Sequence, residues 1–470
     1  MRPLLLLPEM LLFVGGLVTL LGGSFLARDR QWVARVVAAV ALVGSIIASA
    51  LALPGDPATA FEGTFAIDTG TGVARIAASV GTLLVLALAG DELAGTARES
   101  ESYALLLFST AGTLVLAGTQ DLLVLTAGFL LASIPLYALI GLARGPRAAE
   151  AAMKTYLMGA LFGIILMLGV TILYAVSGST LYRDLAATLA DVPPAAVGAG
   201  LLAVLAGLLF EAGGVPAHFW VPDAAQGSSG TVAAFLTTVP KIGALVGIYR
   251  LVLAMPDTVA WPLLVALLAV ASMTLGNLAA YAQQDPRRLL GWSTVSQVGF
   301  LLVPVAVAGR VDLALPSLLL YLTGYTVTNI AAFAVTTALP RRRELAAYRG
   351  LSREQPRLAV ALAVALLGLV GTPPTVVFVG KLTTATAAWD GGMAWLAVAV
   401  LVNTLVSLFY YLRWIAPAFG SVDARQEADP PAGPAAAEMA LRWSSRTAQG
   451  AAALSIVLGL GAGLVLKAIS

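Results

Sequence analysis

Apolar residues in this chain run on for about 18 to 25 positions at a time, the length of a helix crossing a bilayer core. Charged or Pro/Gly-rich turns separate the runs, which fall at 3–26, 33–53, 72–90, 103–118, 121–142, 152–177, 195–213, 231–254, 261–282, 289–308, 314–338, 357–388, 393–416 and 447–467. In hydrocarbon every backbone N–H and C=O must be paired internally, which leaves helices or a closed barrel. The runs lack the period-2 alternation of barrel strands. The pattern therefore predicts an all-α membrane protein of about fourteen transmembrane helices, in a single polytopic domain spanning 1–470. The first run, Leu4 to Leu26, has no small-residue cleavage site and reads as a retained helix. The longest polar connection, Gly420 to Arg446, holds Pro430, Pro431 and Pro434 and reads as a flexible loop.

Composition narrows the chemistry. Of 470 residues 59% are hydrophobic and 11% charged, against roughly a quarter charged in a soluble domain. With no cysteine and one histidine, disulfides, thiolate metal sites and cysteine-held iron–sulfur clusters are excluded, and a haem or zinc centre is not expected. A net charge of +2 suggests no nucleic-acid partner; the bilayer is the expected surroundings. Basic residues gather in alternate loops: Arg28, Arg30, Arg144, Arg147, Lys154, Arg287, Arg288, Arg341, Arg342, Arg343, Arg349, Arg353, Arg357, Arg425, Arg442 and Arg446. The opposite loops carry Asp56, Glu62, Asp191, Asp257 and Asp390, with isolated Arg183 and Arg310. The positive-inside rule puts the Arg-rich loops in the cytoplasm and both termini on the outer face.

Two runs are interrupted. Paired glycines and Pro216 break the stretch from Glu211 to His218, and Gly371-Thr-Pro373-Pro374 breaks the run from Leu358 to Ala388. Breaks in corresponding positions of two halves point to an ion site between inverted repeats; the halves would be about 103–254 and 261–416, flanked by three spans over about 3–90 and a last one at about 447–467. Charge at membrane depth costs about 2.5–3.5 kcal/mol on insertion scales, so it persists where it serves something. Of four lysines, Lys241 and Lys381 lie well inside apolar runs; Glu211 precedes the first break, His218 follows it, and Asp223 comes soon after. Burial penalises the charged form of such groups and brings proton exchange within reach of neutral pH, where histidine titrates unaided. These residues predict a proton path along the midplane through Glu211, Lys241 and Lys381, with water bridges. His218 and Asp223 are equally compatible with a cap or loop contact. Glu9 reads as a charge at a helix N-terminus, and Trp220, Trp292 and Trp414 as interfacial anchors.

The stretches holding these residues carry a resemblance. They include Tyr103-Ala-Leu-Leu-Leu-Phe, Ser133-Ile-Pro-Leu-Tyr137, Glu150-Ala-Ala-Met-Lys154, Val215-Pro-Ala-His-Phe-Trp220-Val-Pro-Asp223 and Val239-Pro-Lys241. Further on come Asp285-Pro-Arg-Arg-Leu-Leu-Gly-Trp-Ser293, Tyr348-Arg-Gly-Leu351, the stretch from Gly371 to Lys381, and that from Asn403 to Arg413. In order and spacing, along nearly the whole chain, they resemble the antiporter-like membrane-arm subunits of respiratory NADH–quinone oxidoreductase (complex I), subunit N in particular. The resemblance implies fourteen helices, two inverted five-helix repeats with broken seventh and twelfth helices, and proton translocation driven by quinone reduction elsewhere. It implies other membrane-arm subunits as partners, a bacterial inner-membrane location, and NAD and quinone handled by the parent complex, with no cofactor or redox centre in this chain. By position it makes Lys241 the lysine of the eighth helix, Lys381 that of the twelfth, and His218 the histidine after the seventh-helix break.

Three positions depart from the family pattern. Leu130 stands where a fifth-helix glutamate is usual, Glu211 where a seventh-helix lysine is usual, and Gln297 where many relatives have histidine. A buried Glu/Lys pair has thus become Leu/Glu, so Glu211 either pairs with Lys241 or is protonated at rest. Two other readings stay open: a subunit of a cation/proton antiporter or hydrogenase-linked complex, and a scaffold-like paralogue with reduced pumping.

Overall fold

The computed structural model describes residues 3–53, 55–420 and 440–469; the proline-rich stretch around Pro430, Pro431 and Pro434 lies outside them. Six helices open the chain: α1 (Leu7–Phe25), α2 (Trp32–Ala52), α3 (Thr69–Glu92), α4 (Glu99–Gly118), α5 (Leu122–Gly141) and α6 (Pro146–Ser177). A short α7 (Tyr182–Thr188) leads to α8 (Pro194–Ala212), α9 (Trp220–Gly227), α10 (Gly230–Leu236) and α11 (Val239–Leu253). The rest is α12 (Trp261–Tyr281), α13 (Pro286–Ala306), α14 (Ala314–Ala338), one-turn α15 (Leu351–Glu354), α16 (Pro356–Val370), α17 (Val376–Asp390), α18 (Ala394–Phe419), α19 (Arg442–Leu460) and α20 (Ala462–Ile469). Proline opens α6, α8, α11, α12, α13 and α16, where its missing N–H costs nothing. Asp68, Asp121 and Asp285 cap α3, α5 and α13 through their carboxylates.

The chain is a multi-pass helical membrane protein. Among the described residues twelve helices, counting α10–α11 as one, are long and apolar enough to cross a bilayer, and the pair α19–α20, bent by 69°, makes a thirteenth. The expected span at 357–388 is two helices of 15 residues each, α16 and α17; fourteen is reached by counting that pair as one crossing. The helices α10–α11, α13 and α14 are buried over nearly their whole length, whereas α1, α2 and α6 turn most of their surface outward.

At the arginine-poor end, strands β1 (Ala58–Ala60) and β2 (Phe65–Ile67) form an antiparallel hairpin, with Thr59 opposite Ala66. The hydropathy pattern did not signal it. Gln120 N–H donates to Thr64 O and Tyr182 N–H to Gln120 O, lacing three loops together. Arg250, near the end of α11, donates to Asp68 Oδ1 at 2.6 Å and to Ala117 O at 2.6 Å. Burial pushes the Asp68 carboxyl up, but the hydrogen bond and charge of Arg250, joined by Thr71, outweigh it and hold the group below the usual carboxylate range.

Two assignments are corrected by packing, and a third gains a partner. Trp220 and Trp414 are buried inside the bundle, Trp220 Nε1 donating to Phe210 O at 3.0 Å, so neither is a lipid-facing anchor. Trp292 is half-buried against His218. Glu9 is in the first turn of α1, but it is buried and doubly bonded to Arg75 of α3 at 2.7 and 2.8 Å. The signal for that pair was an arginine inside an apolar run, within a turn of its start.

Candidate functional site

Two helix ends inside the bundle have the same construction. The helix α8 stops at Ala212 because Gly213, at φ +79°, turns the chain left-handed. Gly213 N–H then donates to Phe210 O at 3.1 Å and Gly214 N–H to Leu209 O at 2.9 Å. The helix α16 stops at Val370 because Gly371, at φ +93°, does the same, with Gly371 N–H on Gly368 O at 2.8 Å and Thr372 N–H on Leu367 O at 3.1 Å. This closing pattern satisfies the carbonyls two and three residues from the end and leaves the last two facing inward. A left-handed turn there is cheap for glycine and strained for other L-residues.

Each buried lysine sits on those leftover carbonyls. Lys241 lies in the first turn of α11, and its Nζ donates to Glu211 O at 2.7 Å. Lys381 Nζ donates to Leu369 O at 3.1 Å and Val370 O at 2.9 Å. The negative end of a helix dipole favours a cation there, by up to about 2 kcal/mol where partly buried. An aromatic face adds to this: Lys241 Nζ is 4.7 Å from the Trp220 ring centroid and Lys381 Nζ 4.0 Å from that of Phe300. Neither ammonium has a carboxylate oxygen within 4.0 Å among the described residues.

Two separate hydrogen-bonded clusters of polar side chains lie in the buried layer near the lysines. Thr237, at the break between α10 and α11, accepts from Tyr325 OH at 2.7 Å through its carbonyl. Tyr325 OH lies 3.1 Å from Thr294 Oγ1, and Asn329 Nδ2 donates to it at 3.1 Å. One turn along α13, Gln297 Oε1 accepts from Tyr321 OH at 2.6 Å while its Nε2 donates to Leu369 O at 2.9 Å. Gln297 and Lys381 therefore share one carbonyl. Glu211 Oε1, His218 Nδ1, Asn329 Oδ1 and Thr384 Oγ1 are buried with no protein hydrogen-bond partner.

Residues 119–407 match the model of the NADH:quinone oxidoreductase/Mrp antiporter transmembrane family. The chain belongs to that family. It is 65% identical over 470 residues to NADH-quinone oxidoreductase subunit N of Mycobacterium sp. (strain JLS), covering all of this chain and 99% of that one. Streptomyces griseus has two subunits N; this chain is 52% identical to N 1 over 99% of its length (98% of that protein's) and 35% identical to N 2 over 89% of its length (83% of that protein's). A chain in the structure of Thermus thermophilus respiratory complex I with bound aureothin superposes with TM-score 0.83 at 31% identity, covering 98% of this chain and 99% of that one. A chain of the Mrp complex from Dietzia sp. DQ12-45-1b shares the fold, with TM-score 0.83 at 24% identity over 99% of this chain and 96% of that one.

Against the family pattern, the structure relocates the departures. Glu211 is fully buried, and its carboxylate accepts from Ser133 Oγ of α5. Of the two states open to this carboxylate, a contact with Lys241 within 4.0 Å is not formed; the lysine takes the main-chain carbonyl of the same residue. Leu130 is 40% exposed, on the outside of α5, so the position is not a buried partner of Glu211 within this chain. His218 is buried, stacked near Phe219 and Trp292. Asp223 is held by Lys154 at 2.9 Å and Arg288 at 2.5 Å and ties three elements together at the arginine-rich end. Tyr321, Tyr325 and Phe300 escaped the sequence reading, because a tyrosine or phenylalanine in an apolar run carries no signal of its own. The break before Lys241 had one in Thr237-Thr238-Val239-Pro240, since the residue ahead of a proline avoids the helical region.

Proposed function

We propose that the chain is the subunit N of a proton-translocating NADH–quinone oxidoreductase, working within the membrane arm beside other such subunits of the bacterial inner membrane. NADH and quinone react elsewhere in the complex, and this chain moves protons between Lys241 and Lys381. The observation that carries the mechanism is the shared geometry of these lysines, each on the open carbonyls of a broken helix, with buried polar clusters around Tyr325 and Gln297 nearby. Buried polar groups are normally hydrogen-bonded, by bound water where no protein group reaches them. Glu211, Asn329 and Thr384, whose oxygens lack a protein partner, accordingly mark where water completes the path. The helices α4 to α11 and α12 to α18 are the two inverted halves in this reading, with the arginine-rich end cytoplasmic and both termini outside.

The higher identity to a curated subunit N than to the Mrp chain favours this over an antiporter. The scaffold reading predicts that Lys241→Ala leaves pumping intact. Glu211 is tested by reverting Leu130→Glu with Glu211→Lys in the intact complex and measuring protons moved per quinone reduced. The ratio should change; an unchanged ratio, with Glu211→Ala equally silent, removes the pair from the mechanism.

A further inference from the structure

A cavity of about 930 Å³ opens at the arginine-rich end, between the loops joining α3 to α4 and α5 to α6, the start of α13 and the end of α14. Six guanidinium groups line it, from Arg98, Arg144, Arg147, Arg287, Arg342 and Arg343, against two carboxylates, Glu92 and Asp285. Both carboxylates are engaged by main-chain N–H groups. Glu92 accepts from Gly230 N–H at 3.1 Å and Thr231 N–H at 2.7 Å, and Asp285 Oδ1 from Arg287 and Arg288 N–H at 2.9 and 3.0 Å. Arg342 is paired with Glu354, and Arg287 donates to Ser228 O and lies 3.9 Å from Glu92 Oε1. Arg98, Arg144, Arg147 and Arg343 have no carboxylate within 4.0 Å among the described residues. The 32-residue α6 begins on this wall with neither a side-chain cap nor an acid in its first turn, so its N-terminal N–H groups add positive potential.

The positive-inside rule accounts for arginines at this end, but not for the convergence of six on one concavity that holds two acids. We propose that the cavity is a binding site for a phosphate-bearing anion of two or more negative charges. Guanidinium groups bind phosphate oxygens in pairs, and basic pockets between transmembrane helices on the cytoplasmic side suit anionic lipid headgroups. Half-buried Leu142 on the wall suits a lipid's glycerol and acyl roots. The same guanidinium set accepts a free diphosphate, so the experiment must separate the two sources.

The test uses the intact complex, stripped of bound lipid. Hydrogen exchange over residues 142–149 is compared in nanodiscs of phosphatidylcholine alone, in nanodiscs with cardiolipin, and with inorganic pyrophosphate. At a ligand concentration ten times its dissociation constant, exchange through openings that lose the ligand slows by about tenfold. Slowing by cardiolipin alone identifies the lipid headgroup; slowing by pyrophosphate as well identifies the phosphate group whatever its carrier. The triple variant R144Q/R147Q/R343Q should lose the effect, and R147Q, a single exposed change, should weaken it. No slowing by either anion overturns the proposal, as does slowing that persists undiminished in both variants.

Discussion

The two halves hold a cation in the same way and supply it differently. In the first half the lysine comes from α11, a separate span from the broken helix it caps, and a buried carboxylate, Glu211, sits one residue from that helix's end. In the second the lysine is on α17, the other part of the same broken span, and among the described residues no carboxylate is buried around it. Its neighbour is the amide of Gln297 on a shared carbonyl. The helix α11 is pinned at its far end by the Arg250–Asp68 pair, while α17 ends at exposed Asp390. An ammonium on open helix carbonyls is thus the repeated element. What differs is the surroundings: a buried carboxylate one residue from the helix end in the first half, and, among the described residues, neutral donors and acceptors in the second.

Four experiments bear on this comparison, beginning with the largest expected effect. If the lysines act in series, Lys241→Ala and Lys381→Ala lower protons per quinone to the same level, and the double variant goes no lower. A double variant worse than either single would separate the halves. Next, Gln297→Leu leaves Tyr321 OH unpaired in the buried layer, at about 1–3 kcal/mol. It should slow pumping while Gln297→His keeps it; equal rates in both would remove the amide from the path. Third, Gly213→Ala and Gly371→Ala force an L-residue into left-handed backbone at about 1–2 kcal/mol each. An added Cβ would meet Val221 Cγ2 at 2.7 Å in one and Lys381 Cδ at 3.0 Å in the other. Both should lower the melting temperature, and Gly371→Ala should disturb pumping directly; equal pumping in the two would show the helix ends to be merely structural.

The smallest effect concerns the pinned end of α11. Because Arg250 holds the folded Asp68 carboxyl below its unfolded value of about 3.9, its contribution is complete above that value. It is lost as pH falls through the lower, folded pKa. Asp68→Asn should therefore loosen the outer end of α11 in hydrogen exchange at about pH 7, by about 1.5 kcal/mol, and shrink the difference from wild type at about pH 3. A difference that stays constant with pH would assign the effect to packing rather than charge.

Span positions, the two breaks and the buried lysines were readable because hydropathy, proline and glycine act locally. Apolar length answers to bilayer thickness, and a left-handed turn or a missing N–H ends a helix wherever it falls. The break before Lys241 carried a weaker signal, a single proline within a run that hydropathy reads as continuous. Harder were Arg75, Leu130 and the tryptophans, where the type of residue was plain and its direction was not. Whether a side chain meets lipid or a neighbouring helix depends on its angle around the helix axis and on which helices pack there.

Sequence by itself determined that the chain spans a membrane many times, carries two lysines at depth, interrupts two spans, and resembles the family to which it belongs. Tertiary structure alone decided that Lys241 meets the carbonyl of Glu211 and not its carboxylate, that Leu130 faces outward, and that Glu9 is matched by Arg75. The reason is physical: hydropathy along the chain sets the cost of placing a group in the bilayer, while its partner is set by the few ångströms across which helices pack.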